Sequence, residues 1–153
     1  MQKLRKLASA LAITLLLISC SKPASETSIP ELKITNNWVR ATQDGQDVGA
    51  AYMTLASNTD TTLTRIESAV SDSIEIHSMT MDKGVMKMRM LEQLDLKANQ
   101  PFELAPGGFH LMLFDLKKNL TAGEQVDFTL HFKDAQGKET KMTVQSPVKA
   151  EAE

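Results

Sequence analysis

Short apolar stretches alternate with turn-forming residues along most of the chain, and no long apolar stripe at helical spacing occurs after residue 31. This pattern is typical of an all-β sandwich or a small β-barrel. It predicts nine strands: Leu32–Arg40, Val48–Ala56, Thr62–Val70, Ser73–Met79, Val85–Leu91, Phe102–Leu104, His110–Leu116, Gln125–Lys133 and Thr140–Gln145. Turns are expected at Asp44-Gly45, Asp82-Lys83-Gly84, Pro106-Gly107-Gly108 and Gln136-Gly137.

The N-terminal segment departs from this pattern. Lys3, Arg5 and Lys6 precede an apolar run of 12 residues, Leu7–Ile18. That length is typical of a signal peptide and too short for a transmembrane helix. The run leads into Leu17-Ile18-Ser19-Cys20, which resembles a bacterial lipobox, where cleavage precedes a lipid-carrying cysteine. We therefore expect a lipoprotein signal peptide over residues 1–19, a lipidated flexible tether over 20–31, one domain over 32–148 and a solvated tail over 149–153.

Composition and charge exclude several classes of function. The mature chain of 134 residues allows one domain with a core and excludes a multidomain enzyme. Loss of the leader leaves 14 basic against 19 acidic residues, a net charge near −5, so nucleic-acid binding is not expected. Acylation of Cys20, the only cysteine, would exclude a disulfide and a thiolate metal site. Hydrolase and phosphate-loop motifs do not occur, and we expect no enzymatic activity.

Methionine is concentrated in one predicted hairpin, which holds five of the nine in the chain: Met79, Met81, Met86, Met88 and Met90. A two-residue loop at Asp82-Lys83 would give three cross-strand pairs: Met81/Gly84, Met79/Met86 and His77/Met88. His77 and all five methionines would then share one face. A three-residue loop would instead scatter this set over both faces.

On the opposite face of this hairpin, the first strand carries apolar residues and the second strand carries charged ones. Ile74 and Ile76 predict core, whereas Lys87 and Arg89 do not. Conflicts between local pattern and global fold tend to fall at functional sites.

A second pair of candidate ligands follows the Gly107-Gly108 turn. His110 and Met112 lie two apart and therefore on one face of their strand. Imidazoles combined with thioethers, without a thiolate, form a soft ligand set that selects Cu(I). His131 lies on a strand whose core face is Val126, Phe128, Leu130 and Phe132, and we interpret it as a structural histidine on the polar face.

These residues carry a resemblance to a known family. His77, Met88, His110 and Met112 match the H-x10-M-x21-H-x-M motif of the periplasmic copper chaperones called PCuAC. Surrounding segments are similar as well, over roughly residues 32–148: Asn37-Trp38-Val39-Arg40, Gly49–Leu55, Gly84–Arg89 and Pro106–Leu113. The resemblance implies a single-domain, cupredoxin-like Greek-key β-sandwich that binds one Cu(I) through those four side chains.

The resemblance also implies a partner and a location. Family members carry copper to extracytoplasmic copper proteins, above all cytochrome c oxidase. We therefore expect a bacterial envelope protein, facing the periplasm and anchored in the membrane through Cys20, with Ser21 favouring the outer membrane. Some members add a Cu(II) site in a His/Met-rich extension, which the tail after Lys149 lacks.

The residues themselves leave open the role of the remaining methionines and of the domain as a whole. Met79, Met81, Met86 and Met90 can form an adaptable apolar shell around the metal or a surface that docks a partner. The whole domain can then be a methionine-rich interaction module of a lipoprotein that transfers no metal. A redox-cycling cupredoxin is disfavoured because blue-copper sites need a cysteine thiolate. Met53 and Met142 are interpreted as ordinary strand residues, and Trp38 as core.

Overall fold

The computed structural model describes residues 31–150, which form ten strands and no helix. The strands are β1 (Leu32–Arg40), β2 (Gly49–Ser57), β3 (Thr61–Glu67), β4 (Ser71–Asp82), β5 (Val85–Leu91), β6 (Leu94–Leu96), β7 (Phe102–Leu104), β8 (His110–Leu116), β9 (Gln125–Asp134) and β10 (Glu139–Lys149). The predicted signal peptide, most of the predicted tether and residues 151–153 lie outside the described residues.

Strand β10 joins two groups of strands. It pairs with β9 in antiparallel fashion and with β1 in parallel, which gives the order β5-β4-β8-β2-β1-β10-β9-β3-β6, with β7 added to β2. Neighbours such as β4 and β8 are separated in sequence by other strands, as Greek-key connections require. Buried side chains of both groups, for example Leu111 and Phe128, belong to one apolar cluster. The predicted cupredoxin-like β-sandwich is therefore confirmed.

Alternation of apolar and polar residues decides which face of each strand is buried. In β9, the predicted core residues Val126, Phe128, Leu130 and Phe132 are all buried. In β4 and β8, Ile76, Leu111 and Leu113 point into the same core. Because side chains alternate along a strand, the residues between them, His77, His110 and Met112, lie on the other face of the sheet.

Four of the nine predicted strands have the predicted bounds, and the others differ at one or both ends, among them β3, which ends at Glu67, and β4, which spans Ser71–Asp82. The strand Leu94–Leu96 was not predicted, because three residues are too few for a recognisable alternation; it pairs with Thr61–Leu63 of β3. Strand β10 continues through Pro147, since the residue after that proline, Val148, pairs with Val39 of β1.

The loop of the β4–β5 hairpin differs from the prediction. Its central residues are Lys83 and Gly84, both with positive φ (51° and 79°), as a type I′ turn needs. The observed pairs are Met81↔Met86, Met79↔Met88 and His77↔Met90, so the predicted pairs were wrong by two positions. A shift of two keeps every side chain on its face, and His77 and the five methionines do share one face as predicted.

Candidate metal centre

Two histidines on adjacent strands form the middle of the candidate site. His77 of β4 is the direct register partner of His110 of β8. Their ring centroids lie 6.0 Å apart with the planes inclined by 33°. His110 is buried, and the His77 side chain is 13% exposed. The two imidazoles therefore face a common space just below the surface of the sheet.

Each imidazole uses one nitrogen within the protein. His77 Nε2 lies 2.8 Å from Glu75 Oε2, two residues earlier on the same face of β4. His110 Nδ1 donates to the carbonyl oxygen of Gly108 at 3.1 Å. The remaining nitrogen of His77, Nδ1, is buried and has no hydrogen-bond partner. A hydrogen bond on one ring nitrogen fixes the tautomer and the orientation of the ring. The other ring nitrogen is then left to bind a metal.

The candidate methionine ligands approach from both sides of this pair. Met112 lies two residues after His110 on β8 and is half-buried; it pairs with Glu75 on one side and Ala50 on the other. Met88 pairs with Met79 and is therefore diagonal to His77, whose direct partner on β5 is Met90. Met88 is 49% exposed. Met90 is therefore closer in register to His77 than Met88 is, and Met79 is two residues from His77 on the same strand.

A shallow cleft of about 190 Å³ opens beside the histidines. Its lining includes Met79, His110 and Met112 together with Tyr52 and Arg40. The Arg40 guanidinium carbon lies 5.6 Å from the centre of the Tyr52 ring. Burial raises the pKa of the Tyr52 hydroxyl, and the charge of Arg40 opposes that shift only in part. The neutral phenol closes one wall of the cleft.

Another cleft, of about 430 Å³, lies between β1, β2 and β7 and is lined by Trp38, Thr54 and Glu103 among others. It contains no imidazole or thioether. Trp38, predicted as core, is buried and stacks on Tyr52 with 4.5 Å between the ring centroids. The larger cleft therefore offers no soft metal ligand, whereas the smaller cleft is lined by His110 and two methionines.

The donors of the site suit a soft, singly charged ion. Within residues 31–150, no three His, Cys, Asp or Glu side chains converge as a metal site would need. The thioethers of Met112, Met88 and Met90 lie beside the two imidazoles in register and offer further donors. Two imidazoles and two thioethers are neutral, and the carboxylate of Glu75 would offset the charge of one bound monovalent cation.

His131 lies in the other group of strands and has its own partners. It is buried, and its Nε2 lies 2.8 Å from Glu67 Oε2, with the Arg65 guanidinium 3.4 Å from the ring. The hydrogen bond from His131, with help from the charge of Arg65, lowers the pKa of the Glu67 carboxyl. His131 occupies the predicted face of β9, and its contacts are those of a structural residue.

Two groups of the site were missed by sequence reasoning. Glu75 was findable, because it lies two residues before His77 and therefore on the same face. The role of the Gly108 carbonyl could not be found from the sequence. This carbonyl accepts hydrogen bonds from both His110 and the Met79 amide only after β4 and β8 have paired. Gly107, with a φ of 83°, makes the turn that brings this carbonyl to the site.

The fold and the site together define a cupredoxin-like β-sandwich with a histidine–methionine cluster on the outer face of one sheet. The chain belongs to the LpqE-like family, described as "Putative lipoprotein LpqE-like", whose model matches residues 32–148. It is 26% identical over 104 residues to "Putative lipoprotein Lxx21020" of Leifsonia xyli subsp. xyli, covering 67% of this chain and 63% of that protein. It is also 35% identical over 103 residues to "Uncharacterized protein RP573" of Rickettsia prowazekii, covering 63% and 57%. Each match spans less than two thirds of the relative.

Solved structures share the fold. The PCuAC domain of PmoF1, in its apo form, has a TM-score of 0.61 and 25% identity over 78% of this chain and 94% of that domain. The Cu(I) form of DR1885 from Deinococcus radiodurans has a TM-score of 0.57 and 29% identity over 80% and 79%. The copper-bound PCuAC domain of PmoF2, at 24% identity and a TM-score of 0.62, covers 78% and 93% and supports the fold alone. The similarity of fold and sequence confirms the predicted relation to PCuAC domains.

The predicted membrane attachment concerns Cys20, which lies outside the described residues. Among residues 31–150 no helix is long and apolar enough to cross a membrane. The family description and the name of the Leifsonia relative both carry the words "Putative lipoprotein".

Proposed function

We propose that this protein is a copper chaperone that binds one Cu(I) through His77, Met88, His110 and Met112 and hands it to a copper-receiving protein. The observation that carries the proposal is the His77–His110 pair, in which Glu75 and the Gly108 carbonyl each hold one ring nitrogen. The orphaned, buried Nδ1 of His77 needs a partner, and a metal ion would supply one. Soft thioethers beside these nitrogens favour Cu(I) over hard cations.

The location of the site favours transfer over storage. His77 is nearly covered, whereas Met88 lies on an edge strand and is about half exposed. A receiving protein can therefore replace Met88 first, while the histidines still hold the ion. Ligand exchange of this kind leaves the oxidation state of copper unchanged.

The receiver and the location follow from the family resemblance and the lipobox. We propose cytochrome c oxidase, or a protein that assembles it, as the receiver. We further propose that Cys20 carries a lipid that holds the domain at the periplasmic face of the cell envelope, with the outer membrane favoured by Ser21.

Competition between the protein and a Cu(I)-selective chelator tests the proposal under reducing conditions. We expect one tightly bound equivalent, and we expect His110→Ala to lower the affinity by at least about tenfold, or 1.4 kcal/mol. Met142→Leu is the control, because Met142 packs on the core and pairs with Leu130 in the other group of strands. A His110→Ala variant that binds as tightly as the parent would contradict the proposal.

The second candidate, a methionine-rich interaction module, is favoured by the exposure of the hairpin. Five large apolar side chains are exposed in residues 31–150: Met81, Val85, Met86, Met88 and Met90. The same titration separates the two functions. A folded protein that takes up no Cu(I) would support the interaction module.

A further inference from the structure

The five methionines of the β4–β5 hairpin form regular rungs, which we call the methionine ladder. Met81 and Met86 form the rung next to the turn, and Met79 and Met88 form the next rung. The third rung consists of Met90 and His77. Directly opposed residues on one face have Cβ atoms about 5 Å apart, and successive rungs lie about 7 Å apart along the strands. The ladder therefore runs about 14 Å from the hairpin tip to the histidine pair.

Four of the five methionines of the ladder are exposed, although apolar side chains are usually buried, and Met79 is half-buried. Met81 is 66% exposed and Met86 58%, whereas Met53 is fully buried and Met142 packs on the core. Strand β5 is at the edge of the sheet, so no further strand within residues 31–150 flanks Met86. Because these side chains bury little apolar surface, they contribute little to the stability of the fold. Their thioether sulfurs therefore explain their presence better than their apolar surface does.

The opposite face of the hairpin is also exposed near the turn, and it carries charged residues there. There Lys87 forms an ion pair with Asp82 at 2.5 Å, and Arg89 is exposed. Asp82, Lys87 and Arg89 therefore lie on the face opposite the methionines, together with the exposed Val85. The segregation leaves the ladder with neutral sulfur donors, and the two cations of strand β5, Lys87 and Arg89, lie on the opposite face.

We propose that the Met81/Met86 rung is a second, weaker Cu(I) site at the hairpin tip, from which copper moves along the ladder to the histidine centre. The proposal rests on the proposed function, because it needs the His77–His110 centre as the destination. Opposed thioethers can bracket one soft ion, and two donors bind more weakly than four. The Met79/Met88 rung lies between the two sites and shares Met88 with the centre.

The transfer is a series of ligand exchanges. The bonds from Cu(I) to the sulfurs of Met81 and Met86 break as bonds to Met79 and Met88 form. The bond to Met79 then breaks as bonds to His77, His110 and Met112 form, while the bond to Met88 is kept. Copper stays Cu(I) throughout, and a thioether has no proton to gain or lose. The direction is set by the larger number of donors at the histidine centre.

Stoichiometry measured against two Cu(I) chelators, one strong and one weak, tests the second site. The protein used is the full chain carrying Cys20→Ser, solubilised in detergent, so that no thiol contributes. We expect one equivalent against the strong chelator and two against the weak one. The double variant Met81→Leu/Met86→Leu should lose the second equivalent and keep the first, because leucine preserves the apolar surface and removes both sulfurs.

Two further variants make each outcome decisive. His110→Ala should weaken the first equivalent and keep the second, and Met142→Leu should keep both. A double variant that still binds two equivalents, or a parent that never binds more than one, would overturn the ladder site and leave the proposed function intact. A parent that binds no tight equivalent would instead contradict the proposed function. Far-UV circular dichroism of each variant checks that the strands are retained.

Discussion

Glu75 and the Gly108 carbonyl determine how the two imidazoles can act. Without a bond on one nitrogen, each ring could present either nitrogen in several orientations, and ordering it on binding would cost free energy. Glu75 also supplies a negative charge 2.8 Å from His77 Nε2, beside a donor set that is otherwise neutral. Groups of this kind orient metal ligands and raise their basicity.

Replacing Glu75 with Gln should therefore weaken Cu(I) binding by roughly 10- to 100-fold without changing the stoichiometry. The amide can still accept a hydrogen bond from His77, but it carries no charge. Chelator competition measures the change. Glu103→Gln is the matched control, since Glu103 lies on β7 and lines the other cleft. Equal affinities of Glu75→Gln and the parent would show that Glu75 does not support the site.

At the scale of the element, the β4–β5 hairpin carries Met88 and is set by its turn. Lys83 and Gly84 both adopt positive φ, and a Cβ atom added at Gly84 would meet no atom within 4 Å. The difficulty of a substitution there is therefore backbone strain, which costs about 1–2 kcal/mol for an L-residue in the left-handed region.

Gly84→Val should loosen β5 and lower the Cu(I) affinity, because the position of Met88 depends on this turn. Gly45→Val provides a matched control: Gly45 has the same φ of 79° and equally open surroundings, but lies in the β1–β2 connection. Hydrogen exchange of the β5 amides and chelator competition follow the two effects. Similar losses of affinity in both variants would indicate general destabilisation, against this account.

The hairpin also shows how far the sequence specifies the site. Alternation together with a two-residue loop placed His77 and the methionines on one face. That face survived the error in the loop, because moving a two-residue loop by one position shifts the pairing by two. The choice between Asp82-Lys83 and Lys83-Gly84 needed the preference of type I′ turns for glycine at the second position. Contacts between distant strands, such as His77 with His110, depend on β8 inserting between β4 and β2, which local patterns do not encode.

At the scale of the whole molecule, the core and the site are on opposite faces of the same strands. The buried cluster combines residues from both groups of strands and does not include His77 or His110. The domain therefore has a core that does not depend on a metal, unlike a zinc finger. The exposed end of the site is at the edge strand β5, away from the strand β1 that follows residue 31. A tether at the N-terminus would leave that edge open to a receiving protein.

Cys20→Ala should release the protein from membranes while the domain keeps its Cu(I) affinity, because the candidate ligands all lie between residues 77 and 112. A protein with more than one acyl chain binds membranes stably, whereas a single chain binds only marginally. Fractionation of cells and chelator competition measure the two properties. A variant that stays with the membrane as the parent does would contradict the lipobox interpretation.

X-ray absorption at the copper edge of the Cu(I)-loaded protein tests the central claim most directly. We expect two sulfur and two nitrogen scatterers around the copper, with one sulfur lost in Met88→Leu and one nitrogen lost in His110→Ala. Met142→Leu should leave the shell unchanged. A shell dominated by oxygen, or made of nitrogen alone, would contradict the assignment of His77, Met88, His110 and Met112 as the copper ligands.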